Sequence, residues 1–244
     1  MTSGTGELPK AVALMWGLEQ PGGGRGPKRG LSLEQIIEAA IAIGDAEGFA
    51  ALSMNRVARE LGFTAMSLYR YVDSKATLME MMLDHVIGLP PEIEPGASWR
   101  AGLARWARSE YEVLGRHPWA LDISFGGSPP LGPNNMAWLE AGLGTLREVP
   151  VPDAVKLQLV MNLSLYVIGR RRAARDIAPS LESEADFTEP LRQLLDPQQF
   201  PALLSALSNR AFDDDDIDWE KGDFEFGMER LLDGYECFLN AYGS

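Results

Sequence analysis

Residues 53–75 read SMNRVARELGFTAMSLYRYVDSK, and this stretch packs two short helices and a tight turn into a shape suited to laying one helix in the major groove of DNA. Ser53 is a good N-cap, its hydroxyl able to accept an orphan amide of the first turn. Val57, Ala58 and Leu61 follow at i, i+1 and i+4 on one apolar face. Gly62, having no Cβ, takes the left-handed conformation that ends a helix and turns the chain, and Phe63 is expected to plug the angle behind it. Thr64 recaps the chain. The second helix is expected over Ala65–Tyr71, with Leu68 and Val72 on its buried side. Ala65, Met66, Ser67, Tyr69, Arg70 and Tyr71 include its outward positions, where side chains reach base edges or phosphates.

Working outward, the segment before this stretch carries Leu33, Ile36, Ile37, Ala40, Ile41 and Gly44 at i, i+3, i+4, i+7, i+8 and i+11, the stripe of an amphipathic helix. It opens at Leu31 or Ser32 and stops at Gly48, with Phe49 and Leu52 sealing the base. Its apolar face completes a three-helix core of the homeodomain-like kind. On the other side, Asp73-Ser74 is an N-cap signature, and Leu78, Met81, Met82, His85 and Val86 repeat at helical spacing up to Gly88. His85 reads as a packing residue rather than a metal ligand, since no second ligand stands at helical spacing.

The run LGFTAMSLYRYVDSKATL, preceded by LSMNRVARE, resembles the DNA-binding domain of the TetR/AcrR family of transcriptional repressors. The resemblance spans residues 31 to about 88, and its most specific part is Leu68-Tyr69-Arg70-Tyr71 followed by Ser74-Lys75 and Leu78. It implies that Thr64, Ala65, Met66, Ser67, Tyr69, Arg70 and Tyr71 face DNA and that Lys75 meets a phosphate at the start of the fourth helix. With Ser53 and Arg29 these form the expected DNA-contact set. Ala65 and Met66 offer no hydrogen bonds to bases. Direct readout therefore leans on Thr64, Ser67 and Arg70 and on apolar contact with thymine methyls.

A chain of 244 residues with 45% hydrophobic and 23% charged residues has the balance of a soluble globular protein with a sizeable core. Its net charge of −13 argues against nucleic-acid binding until it is located. Residues 1–88 hold 8 Lys and Arg against 10 Asp and Glu, whereas residues 89–244 hold 14 against 25. The acid thus lies mostly outside the proposed reader. The single cysteine, Cys237, excludes an intrachain disulfide, and two distant histidines, His85 and His117, do not make a zinc cluster with it. No metal and no cofactor are expected. The absence of an 18-residue apolar run or a basic-then-apolar leader points away from a membrane and to the cytoplasm.

Residues 1–30 read as a flexible N-terminal arm whose Arg25, Lys28 and Arg29 either follow the DNA backbone or belong to a solvated linker. Residues 31–88 form the helix-turn-helix domain, and LPPEIEPGAS at 89–98 opens the C-terminal domain, 89–244. There, residues 153–176 are apolar around almost their whole circumference. Residues 224–242 carry Met228, Leu231, Leu232, Tyr235, Phe238, Leu239 and Tyr242, with Gly227, Gly234 and Ala241 at sevens. Two such helices form either a four-helix interface between two subunits or the centre of a monomeric core. The resemblance favours the homodimer, with Gly227, Leu231, Gly234 and Phe238 as interface candidates.

Asp213–Asp216 with Asp218 lacks the glycine turn and closing glutamate of a calcium loop and reads as solvated acid. Arg170, Arg171, Arg172 and Arg175 read either as a second nucleic-acid patch or, the preferred reading, as cations at the negative end of a long helix. No glycine-rich phosphate loop, nucleophile elbow or base-orienter pair is present, so no enzyme is expected. Aromatic and methionine residues in the C-terminal domain suit an apolar pocket. The resemblance implies a small-molecule inducer there, and Trp106, Trp138, Met161, Asn162 and Tyr166 are the candidates to hold it. The expected molecule is all-α, with an N-terminal three-helix reader and a C-terminal helical ligand-binding and dimerisation domain, acting as a repressor on a palindromic double-stranded DNA operator. The alternative is a ligand-binding or protein-interaction module in which the helix-turn-helix survives only as packing.

Overall fold

The computed structural model describes residues 8–19, 30–123, 130–181, 188–209, 211 and 221–242. Among these, every regular element is a helix. α1 (Lys10–Met15), α2 (Leu33–Glu47), α3 (Met54–Glu60), α4 (Ala65–Tyr69) and α5 (Lys75–Ile87) are followed by α6 (Trp99–Arg116), α7 (Pro133–Thr145), α8 (Asp153–Leu181), α9 (Thr188–Leu194), α10 (Pro201–Ser208) and α11 (Lys221–Tyr242). Short 3-10 turns lie at Phe49–Ala51 and Pro118–Asp122. Arg25, Lys28, Arg29 and the acidic run 213–218 fall outside the described residues. No described helix is long and apolar enough to cross a membrane.

α2 begins with a capping box: the Ser32 hydroxyl accepts from the Gln35 amide at 3.1 Å, and the Gln35 side chain accepts from the Ser32 amide at 2.9 Å. It buries Ile36, Ile37, Ala40, Ile43 and Gly44, so the stripe runs through Ile43, while Ile41 is only half-buried. α3 ends at Gly62, whose φ is 74°. There the Phe63 amide donates to Ala58 O at 2.8 Å and the Gly62 amide to Arg59 O at 3.2 Å, the paired bonds of a Schellman ending. Phe63 does not plug the angle between the helices; it stands exposed, because Leu52, Val57, Leu68, Val72, Leu78 and Met82 already fill that core. Burial of each such side chain is worth about 1.5–3 kcal/mol.

Two further expectations are corrected. The N-terminal arm is not wholly without structure: Ala11, Val12, Ala13 and Leu14 are buried in α1, which packs on α5. Six residues are too few to hold a helix alone, so the docked apolar face is what forms it. His85 is exposed and its neighbour Asp84 is buried. Packing also crosses residue 88: Trp119, Ala120 and Ile123 belong to the N-terminal cluster. Trp119 lies so close to α2 that a Cβ at Gly44 would stand 2.9 Å from its ring.

α6, α7, α8 and α11 form the second core. Leu103, Trp106, Ala107 and Leu114 of α6 join Val160, Leu163 and Val167 of α8 and Phe224, Met228 and Leu232 of α11. α8 runs past the arginines to Leu181, so these do not cap its end. Arg170 pairs with Asp223, Arg171 lies over the Tyr111 ring at 4.8 Å, and Arg172 donates to Leu121 O. Arg175 bonds Asp122 at 2.8 Å and Pro118 O at 3.1 Å. They tie α8 to its neighbours.

Candidate nucleic-acid interface

α4 is held by one side and open on the other. Leu68 and Val72 are fully buried, which fixes the rotation of the helix about its axis. Met66 is 75% exposed and Tyr69 45%; Thr64 and Arg70 are also exposed, and Ala65, Ser67 and Tyr71 are half-buried. The helix ends at Tyr69, shorter than expected, with Val72 N donating to Leu68 O at 3.0 Å. Thr64 occupies the N-cap position without a side-chain bond to the backbone. Its hydroxyl instead meets that of Ser67 at 3.0 Å, leaving a joined pair of hydroxyls on the exposed edge.

Charge on this face is selective. Arg56 is spent on Glu47 and Glu60, and these carboxylates hold its guanidinium even more firmly protonated than usual, the Glu47 bond contributing most. Arg59 and Arg70 have no ion pair among the described residues. Ser53 caps α3, accepting from the Arg56 amide at 3.1 Å, so its hydroxyl is already engaged. Ser74 caps α5 in the same way, accepting from the Thr77 amide at 3.0 Å. Lys75 stands in that first turn, where the dipole favours an anion, its ammonium 5.1 Å from the centroid of Phe49.

Two seams join this reader to the C-terminal core. Asp45 of α2 bonds the Trp119 indole at 2.6 Å and His117 Nδ1 at 2.8 Å. Asp84 of α5 accepts from the backbone amides of Asn134 at 3.3 Å and Asn135 at 2.9 Å, and from Asn135 Nδ2 at 2.7 Å. A buried carboxylate thereby caps α7, whose own N-cap, Gly132, has no side chain to do so. A Cβ at Gly132 would overlap Asp84. Trp138 adds a bond from its indole to Gly88 O at 3.0 Å.

The five ligand candidates do not converge. Trp106 and Trp138 are buried, joined by the Trp106 indole donating to Trp138 O at 2.9 Å and by an edge-on ring contact at 5.8 Å. Tyr166 donates to Phe224 O at 2.8 Å. Met161 and Asn162 are exposed on α8, a helix that is apolar on two faces of which only one meets the chain's own core. The group missed in sequence is Glu110. It is fully buried, takes a 2.7 Å bond from the Ser164 hydroxyl, and its Oε2 has no partner among the described residues. Burial raises its pKa to about 8. Its place seven residues after Leu103, on the buried stripe with Trp106 and Ala107, was the available signal.

The interface candidates also divide. A Cβ at Gly227 would stand 2.3 Å from Tyr166 Oη, and Leu231 packs on the chain's own core, so both serve intrachain contacts. Gly234 and Phe238 face outward. Tyr242 meets the Phe238 ring at 5.6 Å, Phe226 is 65% exposed elsewhere on α11, and Leu157, Met161 and Leu165, the last 62% exposed, form an apolar row on α8.

Residues 36–82 match the model for bacterial regulatory proteins of the tetR family, and residues 90–239 match the tetracyclin repressor-like C-terminal domain. The chain is 36% identical to the HTH-type transcriptional repressor DrrR1 of Streptomyces coeruleorubidus, over 98% of this chain and 89% of that one. It is 25% identical to the class E tetracycline repressor protein of Escherichia coli, over 86% and 93% of the two chains. The Streptomyces coelicolor TetR family protein ActR, solved in complex with actinorhodin, superposes with a TM-score of 0.70 at 27% identity, covering 86% of this chain and 99% of that one.

Proposed function

This chain belongs to the TetR family of DNA-binding transcriptional regulators, and from that premise we propose that it is a ligand-released repressor which binds a palindromic operator as a homodimer. The observation that carries the reading is α4 itself, seated by Leu68 and Val72 and offering Thr64, Met66, Tyr69 and Arg70 to solvent. On this helix the exposed Met66 stands with hydroxyls and with an arginine that has no ion pair among the described residues, a mixture suited to thymine methyls, base edges and phosphates. In the complex, Arg70 reads a base edge or a phosphate, Met66 and Ala65 touch thymine methyls, and Lys75 with the α5 N-terminus holds a phosphate.

Two copies are required because one short helix reads too few bases. The outward apolar faces of α8 and α11 supply the joining surface, two helices from each subunit. The paired α4 helices must then sit about 34 Å apart to enter successive major grooves. A ligand taken into the C-terminal core changes that spacing through the Asp45–Trp119 and Asp84–α7 seams, and couplings of this kind are worth about 1–3 kcal/mol. The naming of DrrR1 as a repressor and the complex of ActR with actinorhodin support repression and an organic ligand.

A gel shift against the promoter of its own gene tests the reading. A discrete, salt-sensitive complex with a palindromic site, of two chains per site, is expected. Binding no tighter than to scrambled DNA would leave the alternative of a ligand-binding or interaction module.

A further inference from the structure

α1 touches both halves of the molecule. Its apolar residues Ala11, Val12, Ala13 and Leu14 are buried on α5, the helix that starts immediately behind the recognition element. Just beyond it, the Trp16 indole donates to Leu131 O at 2.8 Å, in the segment that leads into α7. At its other end Lys10 lies 3.9 Å from Asp73, in the turn between α4 and α5; that pair is half-exposed on both sides and adds little by itself. Alongside, an open surface groove is lined by Leu14, Met15, Leu33, Ile37, Met81 and Asp84, among others. The same end of α5 therefore meets α7 directly through Asp84 and indirectly through Trp16.

We propose that Lys10–Trp16 is an intramolecular clamp, a positioning element that fixes the angle between the DNA-reading helices and the C-terminal domain. At this end of α5 the junction is held at few points, Asp84 on α7 and the Trp138 indole on Gly88 O, and helices joined at few points can rock about them. A further attachment beside these restricts that freedom, and the order it imposes favours DNA binding by lowering the entropy lost on docking. Leu14 holds the clamp to α5 and Trp16 holds it to the far side. The clamp needs no contact with DNA, which separates it from a basic arm following the phosphates.

The test uses the full chain with Cys237→Ser, spin labels at Arg70→Cys and Glu140→Cys, and dilution with unlabelled chain, so that the measured distance is intrachain and requires neither operator nor dimer. A narrow distance distribution is expected in the parent, a broader one in Trp16→Phe, which loses only the indole donor, and a still broader one in Val12→Asp/Leu14→Asp. As a second readout, resting on the operator-binding reading above and made on unlabelled chain with Arg70 and Glu140 intact, the double variant should bind promoter DNA about 5-fold more weakly than the parent, the low end of intersite couplings, with an unchanged salt slope. An unchanged distance distribution in both variants overturns the clamp even if DNA binding is intact. Failure of all DNA binding with the expected broadening leaves the clamp standing and removes the operator reading instead. A reduced salt slope with unchanged distances would assign α1 to DNA contact.

Discussion

Arg70 is exposed and Lys75 half-buried, and this difference separates two roles that look alike in a charge count. A guanidinium free to swing reaches guanine or phosphate, and when it pairs with a base edge its loss costs about 1–3 kcal/mol at one operator position. Arg70→Ala should therefore weaken binding and relax preference at one base pair, seen by competition with single-position operator variants. Lys75→Ala should weaken all sequences alike and lower the salt slope by about 1; equal slopes for variant and parent would remove Lys75 from the phosphate contacts. Glu110 sets a different experiment. In the fold its carboxyl stays protonated to about pH 8, against an ordinary 4.5, so between these values the unfolded chain binds fewer protons and stability declines as pH rises, levelling off above the folded pKa. Glu110→Gln should remove that decline, leaving a melting temperature close to the parent at pH 4 and a gain of roughly 3 kcal/mol at pH 7. Parallel profiles would show that Glu110 ionises freely. The outward residues of α4 were legible because their buried complement, Leu68 and Val72, is spaced four apart. The burial of Glu110 was not legible because a charge on an apolar stripe is easily taken for the stripe's edge.

Elements are legible where local chemistry dictates them. Ser32, Ser53, Ser74 and Ser98 each cap the helix that follows with their own hydroxyl, a bond made within four residues. Gly62 is likewise a local necessity: its φ is 74° and nothing lies within 4 Å of where a methyl group would stand, so only backbone strain opposes a side chain. Gly62→Ala should cost about 1–2 kcal/mol, a drop of several degrees in melting temperature. A drop of less than a degree would mean the turn relaxes into another conformation. The faces of helices are less legible. The arginines of α8 resemble an end cap in sequence because their partners, Leu121, Asp122 and Asp223, lie more than 45 residues away. α1 resembles part of a linker because six residues carry too little periodicity to reveal a docked face.

For the whole molecule, apolar side chains among the described residues stand outside either core on the two longest helices: Leu157, Met161 and Leu165 in a row on α8, and Phe226, Phe238 and Tyr242 on α11. Leu165→Glu places a charge at the centre of the proposed joining surface, where burying it without a partner is costly. Sedimentation should show a monomer with an unchanged helical spectrum, and operator affinity should fall roughly 100-fold or more as the second half-site loses its tether. A dimer that survives this change would place the joining surface elsewhere. The sequence by itself determined the all-helical class, the three-helix reader and the family, because capping, turn glycines and apolar periodicity are local and the LYRY segment is specific. Only the tertiary structure decided that Trp119 joins the N-terminal core, that Asp84 caps α7, that Trp106 and Trp138 are spent on one another and Tyr166 on Phe224, and which side of α8 is left open. Periodicity reports how many faces of a helix are apolar, whereas the choice of which face meets which neighbour depends on contacts between residues far apart in the chain.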